Sequence, residues 1–213
     1  MLGIIFTGGE SPSAQIVKHV VGEVEGALLV AADSGLTVIE DAGLRSDWII
    51  GDMDSLGDTS RLASYPKERV IRHVHDKDYT DTELAFSLAI ERGCDVIWII
   101  GGGGGRIDHL FGIRCMFERE KFPARWITGG EDIRCIDASG KNELACRLKK
   151  DAVVSVFPLG DGNWKAKSSG LKWQLDNVSW NRGFFGLSNV AVDGNFSITA
   201  ESGRFMVILP LPL

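Results

Sequence analysis

Acidic side chains recur in three short segments of this 213-residue sequence, and their spacing is typical of a site that holds a cation. Asp52 and Asp54 stand in GDMDS, Asp33 in AADSGL and Asp81 in YTDTELA. If a strand stays extended through GDMDS, the Asp52 and Asp54 carboxylates point to the same side. Carboxylates this close repel each other unless a cation lies between them, and hard oxygen ligands favour Mg²⁺. The alternative is a solvated turn in which the aspartates cap the backbone.

A run of five glycines precedes Arg106 and Asp108 in GGGGGRIDHL. Glycines let the backbone approach a ligand closely, and Arg106 opens a predicted helix. A phosphate group would there meet backbone amides, a helix dipole and a guanidinium. The alternative is that Asp108 only complements the helix dipole while Arg106 is solvated. The spacing is not that of a P-loop, and TGGESPS near the N-terminus is not the GxGxxG dinucleotide pattern.

The segment YTDTELAFSLAIERG contains a helix start as well as an acidic group. Thr80 followed three residues later by Glu83, ahead of an apolar run, is a capping box. Asp76, Asp78 and Asp81 crowd the same helix entrance. The pattern predicts the helix, and it leaves open whether the acidity belongs only to the cap or also to a charged site.

Short apolar runs alternate with helical periods through the first two-thirds of the chain. The predicted strands are GIIFTGG, ALLVAADSG, DWIIGDMDS, RVIRHV and DVIWIIGGGGG, and helices follow all but the third. This alternation predicts a mostly parallel sheet covered on both faces. Nearly every strand ends in glycine or aspartate. Because ligands bind beyond the carboxyl ends of parallel strands, we expect these ends to form one binding edge.

The pattern changes after about residue 138 to β-rich segments without a helical period. These segments are DAVVSVFPLG, VAVDGNFSITA and GRFMVILPL, with turn signals at Asp193-Gly194 and Ser202-Gly203. They predict a small antiparallel β sandwich. Polar DASGKNE is the best boundary candidate, so we expect an α/β domain over residues 1–138 and a β-sandwich domain over residues 139–213.

The composition, with 44% hydrophobic and 24% charged residues, is that of a compact protein with a real core. A net charge of -6 argues against general nucleic-acid binding. The apolar N-terminal run is too short for a signal peptide or a membrane span, so no membrane partner is expected. The four cysteines form no CxxC pair, which favours core thiols in a reducing compartment and predicts a cytoplasmic location.

Six motifs in order give the sequence a family resemblance. They are AADSGL, DWIIGDMDSL, DKDYTDTELA, GGGGGRIDHL, GLKW and GLSN. The sequence resembles the thiamin pyrophosphokinases over about residues 4 to 209, nearly the whole chain. The resemblance implies a Rossmann-like α/β domain that binds ATP, a β sandwich that helps to form a thiamin pocket, Mg²⁺ as cofactor and a homodimer. The implied reaction transfers a diphosphoryl group from ATP to the hydroxyl of thiamin, giving thiamin diphosphate and AMP.

The resemblance also implies roles for individual residues. Asp33, Asp52, Asp54 and Asp81 would form the catalytic centre, and the last three of them would bind the metal. ATP and its phosphates would lie beside the following residues: Lys77, Thr80, Arg106, Asp108, Gly8, Gly9 and Gly104. Either Asp33 or Asp81 could deprotonate the attacking hydroxyl, and the sequence leaves this choice open.

In the predicted β domain, Ser188 and Asn189 of GLSN would contact thiamin, with Trp173 of GLKW as a further contributor. Two positions depart from the family. Ser34 stands where glycine is common, and Glu10 stands where the family has small residues or proline. A carboxylate in a loop that faces phosphate would be repulsive, so Glu10 is not included among the expected site residues.

Three other functions fit parts of the pattern. A diphosphokinase for another small alcohol, such as a hydroxymethylpterin, would keep the aspartates and change the pocket of the β domain. A nucleotide-binding regulatory module would bind ATP without releasing AMP. A metal-dependent phosphoesterase using GDMDS would release orthophosphate.

Overall fold

The computed structural model describes residues 1–74, 76 and 78–211, which form two compact units. The first unit contains Met1–Arg114 and Trp126–Gly129, and the second contains Cys115–Arg125 and Gly130–Leu213. The two units therefore interleave along the chain between residues 115 and 130. The division into functional domains at residue 138 stays a prediction.

The first unit is built on a sheet whose strands occur in the order β6-β5-β1-β2-β3-β4. Each neighbouring pair from β5 to β4 is parallel, as the alternation of strands and helices predicts. The strands are β1 Leu2–Phe6, β2 Leu28–Ala32, β3 Trp48–Gly51, β4 Val70–Arg72, β5 Val96–Ile100 and β6 Arg125–Ile127. The helices are α1 Ala14–Gly22, α2 Gly35–Asp41, α3 Asp81–Glu91 and α4 Ile107–Met116. Two 3₁₀ turns, Thr59–Ser64 and Lys67–Arg69, connect β3 to β4.

Strand β1 shows why this sheet is covered on both faces. Ile4, Ile5 and Phe6 are consecutive, so their side chains point alternately to the two faces, and all three are fully buried. A continuous buried run of this kind is typical of a central parallel strand. Helices α2 and α3 both pack on β1 and β2. The ends of these strands, rather than their faces, are therefore left to build a site.

The second unit is a β sandwich of two antiparallel sheets. One sheet has the order β11-β9-β13-β7 and the other has the order β10-β12-β8. The strands are β7 Glu131–Asp137, β8 Glu143–Arg147, β9 Ala152–Leu159, β10 Lys165–Ser169, β11 Gly186–Ala191, β12 Asn195–Ser202 and β13 Arg204–Pro210. Val207 and Phe205 from one sheet share a buried core with Ile198 and Phe196 from the other. The predicted sandwich is confirmed.

The sequence pattern missed several strands, and it located two turns without indicating which sheets they connect. Strands β7, β8 and β10 were not predicted, because their segments are short or rich in charge. Asp193-Gly194 and Ser202-Gly203 are turns, with Gly194 at φ 80° and Gly203 at φ 75°. They do not close hairpins, since β12 pairs with β10 and β8, whereas β11 and β13 belong to the other sheet. Each turn therefore carries the chain from one layer of the sandwich to the other.

The cysteines are all free thiols, and they differ in burial. Cys94 and Cys135 are buried as expected for core thiols, Cys146 is half-buried and Cys115 is exposed. Burial raises the pKa of the Cys135 thiol to about 12, so it stays protonated at neutral pH. Among the described residues, no helix has the length and apolarity needed to cross a membrane.

Candidate active site

Three carboxylates meet at the carboxyl edge of the parallel sheet. Asp33 directly follows β2, Asp52 directly follows β3, and Asp81 is the first residue of α3. One carboxylate oxygen from each of the three lies within 4.8 Å of the others. We call these residues the acidic cluster. The segments that carry them are distant in sequence, so the tertiary structure brings the three charges together.

The Asp33 carboxylate is the most buried of the three, with 7% of the residue exposed. Its Oδ2 atom accepts a hydrogen bond from the Ser55 hydroxyl. Its Oδ1 atom is buried and has no hydrogen-bond partner in the described part of the chain. Burial raises the pKa of Asp33, the Ser55 hydrogen bond lowers it, and the charges of Asp81, Asp54 and Asp52 raise it further. The geometry fits an added cation, which would satisfy the buried oxygen and offset the repulsion.

The backbone around the acidic cluster is held in unusual conformations. Asp33 has φ 48° and Met53 has φ 68°, in the left-handed region that costs non-glycine residues free energy. Met53 is buried, so its packing helps to hold the turn. A Cβ atom on Gly51 would lie 3.1 Å from both Asp33 Cβ and Asp81 Oδ1. A side chain at position 51 would therefore intrude between two members of the cluster.

Asp54 does not continue strand β3, as an extended strand through GDMDS would require. Strand β3 ends at Gly51 and Met53 has φ 68°, so the chain is not an extended strand through Asp52 and Asp54. Asp54 is exposed, and its backbone N–H donates to the Asp52 Oδ1 atom at 3.2 Å. The Asx turn of the alternative interpretation is thus present. The Asp54 charge still raises the pKa of Asp33, and its role as a metal ligand stays a prediction.

The capping box at the start of α3 is confirmed. The Glu83 backbone N–H donates to Thr80 Oγ1 at 3.2 Å, and the Thr80 N–H donates to Glu83 Oε2 at 3.0 Å. Thr82 was not predicted as a site residue, yet its buried hydroxyl lies 2.7 Å from the Thr7 hydroxyl beyond the end of β1. This pair ties the first turn of α3 to the sheet. The cap and the Thr82 contact together position Asp81, so the structural and the functional interpretations of this segment are compatible.

The glycine loop, residues 101–105, has a close neighbour in Glu10. The Glu10 N–H donates to the Gly103 carbonyl at 2.6 Å, and the Gly103 N–H donates to the Glu10 carbonyl at 2.9 Å. A Cβ atom on Gly104 would lie 2.8 Å from Glu10 Oε2, and one on Gly129 would lie 2.6 Å from Glu10 Oε1. Glu10 therefore packs against Gly104 and Gly129, and a Cβ atom at either position would require the Glu10 side chain to move. It belongs to the structure of this edge, although sequence reasoning left it out.

Gly8 and Gly9 lie beside the same loop. A Cβ atom on Gly9, which has φ 90°, would lie 2.9 Å from the Gly103 carbonyl oxygen. The Gly102 N–H donates to the Gly8 carbonyl at 2.8 Å. The structure thus brings Gly8, Gly9 and Gly104 to one region of the sheet edge, as the sequence predicts. Lys77 lies outside the described residues.

Arg106 and Asp108 form an ion pair at the start of α4. Arg106 Nε donates to Asp108 Oδ1 at 3.1 Å, and a second nitrogen of the guanidinium donates to Oδ2. The hydrogen bond from Arg106 lowers the pKa of Asp108. Both side chains are mostly exposed, at 74% and 58%. The guanidinium is therefore oriented by a neighbour and still accessible to an anion.

The residues predicted to contact thiamin lie in the second unit. Asn189 is buried, and its amide is engaged with the backbone: Oδ1 accepts from Trp173 N at 3.1 Å, and Nδ2 donates to the Trp173 carbonyl at 2.7 Å. Trp173 itself is 55% exposed. Ser188 is exposed at φ 57°, where the pairing of β11 with β9 shifts register. Asn189 thus holds the loop that presents Trp173, and its predicted contact with thiamin stays a prediction.

The fold and the acidic cluster together define an α/β protein with three carboxylates at its strand ends, followed by a β sandwich. Two family models match the chain. The catalytic domain of thiamin pyrophosphokinase matches residues 24–123, and its vitamin B1 binding domain matches residues 141–205. The chain belongs to the thiamin pyrophosphokinase family, whose members are enzymes, and the predicted resemblance is confirmed.

Individual relatives agree with this assignment. Thiamine pyrophosphokinase of Bacillus subtilis is 29% identical over 163 residues, which are 72% of each chain. Thiamine pyrophosphokinase 1 of Oryza sativa is 25% identical over 77% of this chain and 66% of that protein. The crystal structure of the Bacillus subtilis protein has a TM-score of 0.79 over 100% of both chains at 23% identity. That of the Geobacillus thermodenitrificans protein has a TM-score of 0.76 at 23% identity, over 99% of this chain and 98% of that one. Both structures show that the fold is shared.

Proposed function

We propose that the chain catalyses Mg²⁺-dependent transfer of the terminal diphosphoryl group of ATP to the hydroxyl of thiamin. The products would be thiamin diphosphate, AMP and a proton. The observation that carries this proposal is the acidic cluster at the strand ends of a chain that belongs to the thiamin pyrophosphokinase family. ATP carries about four negative charges, so positioning and charge neutralisation dominate such a transfer.

The acidic cluster has the donor set that the metal requires. Asp52 and Asp81 would hold Mg²⁺ together with Asp54, while Asp33 completes the cluster from the end of β2. Oxygen ligands and a buried carboxylate oxygen without a partner among the described residues both fit this ion. When bound, the ion would neutralise phosphate charge and make the transferred phosphorus more electrophilic.

The protein's own groups would position and deprotonate the reacting hydroxyl. Between the two candidates that the sequence leaves open, we favour Asp33 as the group that accepts the proton. Burial and the neighbouring carboxylates raise its pKa, which makes it a stronger base than an ordinary aspartate. The hydroxyl oxygen would attack the β-phosphorus as the bond to the α-phosphate oxygen breaks, and AMP would leave.

The glycine loop and Arg106 would orient the phosphates. Because glycines carry no Cβ atom, Gly8, Gly9 and Gly104 would let a phosphate approach their backbone N–H groups closely. The exposed Arg106 guanidinium, oriented by Asp108, would stabilise charge that develops on the transferred group. We include Lys77 and Thr80 beside the nucleotide on the strength of the motif alone.

The second substrate would contact the β sandwich. We propose that the exposed face of Trp173 and the hydroxyl of Ser188 contact thiamin, and that Asn189 fixes the backbone between them.

We also propose a homodimer in the cytoplasm. Sedimentation equilibrium of the purified chain tests the dimer, and a monomer at micromolar concentration would contradict it.

Product analysis tests the proposed reaction. The chain is incubated with ATP, Mg²⁺ and thiamin, and nucleotides and thiamin esters are separated by chromatography. We expect AMP and thiamin diphosphate in equal amounts, and none after addition of excess EDTA. A hydroxymethylpterin replaces thiamin in a parallel reaction. Orthophosphate as the product would indicate a phosphoesterase, ATP binding without AMP would indicate a regulatory module, and AMP with the pterin only would indicate the other diphosphokinase.

A further inference from the structure

Two guanidiniums lie over one indole ring at the amino-terminal edge of the parallel sheet in the first unit. Trp48 is the first residue of β3, and 9% of it is exposed. The Arg92 Cζ atom lies 3.9 Å from the centroid of the Trp48 ring, and the Arg69 Cζ atom lies 4.5 Å from it. Both distances are typical of a cation–π contact. We call these three residues the Trp48 cluster.

Two separate elements bring the guanidiniums to this ring. Arg69 ends the second 3₁₀ turn, and because Ile49 pairs with Val70, Arg69 lies beside Trp48 across the parallel pair of β3 and β4. Arg92 directly follows α3, at the C-terminal end of the helix. The helix dipole favours a cation at that end, which explains Arg92. It does not explain a second guanidinium on the same ring.

The hydrogen-bonding groups of the Trp48 cluster are available to a ligand. Within the described residues, neither guanidinium is paired with a carboxylate or donates a hydrogen bond, and both side chains are exposed. The Trp48 indole N–H reaches the surface and has no acceptor in the same part of the chain. Arg45 is another stacked guanidinium of the first unit, 4.4 Å from the centroid of the Tyr65 ring, but it donates to the Ser64 carbonyl. The Trp48 cluster therefore has three donors and no acceptor.

The two positive charges are close enough to share one anion. Their Cζ atoms are at most about 8.4 Å apart, which is the sum of their distances to the ring centroid. A guanidinium that stacks on a ring keeps its N–H groups free to donate at its edge. An oxyanion with several acceptor oxygens can bridge two such edges, and it would offset the repulsion between the charges.

We infer that the Trp48 cluster binds a phosphate-type oxyanion at a site separate from the acidic cluster. Trp48 begins β3 and Asp52 directly follows it, so about 13 Å of chain lies between them at roughly 3.3 Å per residue. Arg69 and Arg92 donate to different oxygens of the anion, and the Trp48 N–H donates to a further one. Guanidinium forks match the geometry of phosphate, whose charge and number of oxygens exceed those of a carboxylate. The inference uses no residue of the proposed active site, so it does not depend on the proposed function.

A nuclear magnetic resonance titration of the isotope-labelled chain tests this site. Each tryptophan gives one indole N–H signal, and the Trp48 signal is the one that Trp48→Phe lacks. Phosphate is added in EDTA, so that no metal holds it at the acidic cluster, and chloride at equal ionic strength is the salt control. We expect the Trp48 signal to move to a plateau with phosphate and to stay in place with chloride. Titration with diphosphate and with AMP then identifies the source, since the tighter ligand indicates a free phosphate or a phosphate ester.

Three variants show which guanidiniums hold the anion. Arg69→Gln and Arg92→Gln should each weaken phosphate binding about tenfold or more, because each removes charge-assisted hydrogen bonds. Arg45→Gln is the matched control, since it removes the same charge from another stacked guanidinium, and it should leave binding unchanged. An equal loss in Arg45→Gln would show that net charge alone attracts the anion, and it overturns the inference. A Trp48 signal that stays in place at millimolar phosphate, or that moves equally with chloride, also overturns it.

Arg92→Lys separates recognition from folding. It keeps the positive charge at the end of α3 and removes the planar fork, so we expect weaker phosphate binding with the fold retained. Unchanged binding in this variant would contradict the fork-shaped contact. If Arg92→Gln does not fold, Arg69→Gln and Arg92→Lys decide.

Discussion

Two buried aspartates in this protein have opposite surroundings. Asp132 in the second unit lies between two guanidiniums: Arg125 donates to both of its oxygens at 2.8 Å, and Arg134 donates to them at 2.8 and 2.7 Å. Asp33 in the first unit lies among the carboxylates of Asp52 and Asp81. Burial raises the pKa of Asp132, but the hydrogen bonds from the arginines outweigh it, so the net pKa is lowered. The net pKa of Asp33 is raised.

The difference separates a structural charge from a functional one. A buried charge is stable only when opposite charge and hydrogen bonds replace the lost water. The fold supplies both to Asp132 from its own side chains. At Asp33, the described neighbours add negative charge and leave one oxygen without a partner. A region that is incomplete in this way has free energy to gain from a ligand, which is why we assign the acidic cluster to binding and the Asp132 centre to stability.

The largest expected effect is on stability in the second unit. Arg125→Met removes the more buried guanidinium, whose side chain is 8% exposed, and leaves Asp132 with Arg134 alone. We expect the free energy of unfolding to fall by about 3 kcal/mol, since breaking a buried pair leaves an incompletely compensated charge. Urea denaturation measures it. Arg134→Met is the matched control, and because that side chain is 27% exposed its loss should be smaller. Equal losses would contradict the burial argument.

Asp52→Asn should lower activity without lowering stability, which is the opposite of the effect expected for Arg125→Met. We expect kcat to fall about 10²-fold or more, because charge neutralisation by a metal is worth several kcal/mol. The metal-free variant should be at least as stable as the wild type, since one of the charges that repel Asp33 is gone. Turnover and urea denaturation in EDTA are measured on the same samples. Glu25→Gln is the control, because Glu25 is an exposed acid outside the acidic cluster. A variant that loses stability as well as activity would place Asp52 with Asp132 as a structural charge.

The acid sensitivity of folding follows from the Asp132 centre. Its pKa is lower in the folded than in the unfolded protein, so its stabilisation is fully present above the unfolded value of about 3.9 and is lost as pH falls through the folded value. Below about pH 4, the wild type should therefore lose stability more steeply than Asp132→Asn, which has no carboxylate to protonate there. Urea denaturation at pH 7, 5, 4 and 3 measures the two slopes. Parallel slopes would show that other carboxylates dominate acid unfolding.

The smallest expected effect concerns the contact that positions Asp81. Thr82→Val keeps the side-chain shape and removes the hydroxyl that pairs with Thr7 at 2.7 Å. We expect a loss of about 1 kcal/mol of stability, because the Thr7 hydroxyl is left buried without its partner. Turnover should fall several-fold as Asp81 becomes less well held. Thr82→Ser retains the hydroxyl and should restore turnover, and failure of this rescue would indicate that packing, rather than the hydrogen bond, matters.

Several features were predictable because they depend on residues close together in sequence. The capping box at Thr80 and Glu83 depends on a spacing of three residues, and the structure confirms it. The buried strands and the parallel sheet follow from apolar runs that alternate with helical periods. The acidic segments and the glycine loop were recognisable as strand ends because each directly follows an apolar run. Charged β7 and short β10 were not predicted, because their residues carry little local strand signal.

Other features depended on contacts between distant segments, which no local pattern specifies. Asp52 and Asp54 would share one side if the strand stayed extended, but β3 ends at Gly51 and Met53 has a left-handed backbone conformation. Glu10 was set aside as repulsive, yet it pairs with Gly103 through the backbone. Thr82 gave no signal, because its partner Thr7 is 75 residues away. The turns at Asp193-Gly194 and Ser202-Gly203 were visible, but not the sheets that they join.

The amino-acid sequence by itself determined the alternating elements of the α/β half and the chemical types at its strand ends, because periodicity and turn propensity act within a few residues. Only the tertiary structure decided which carboxylates share a site and which acids are compensated by arginine. Those outcomes depend on the register of the sheet and on desolvation, and both are set by residues far apart in the chain.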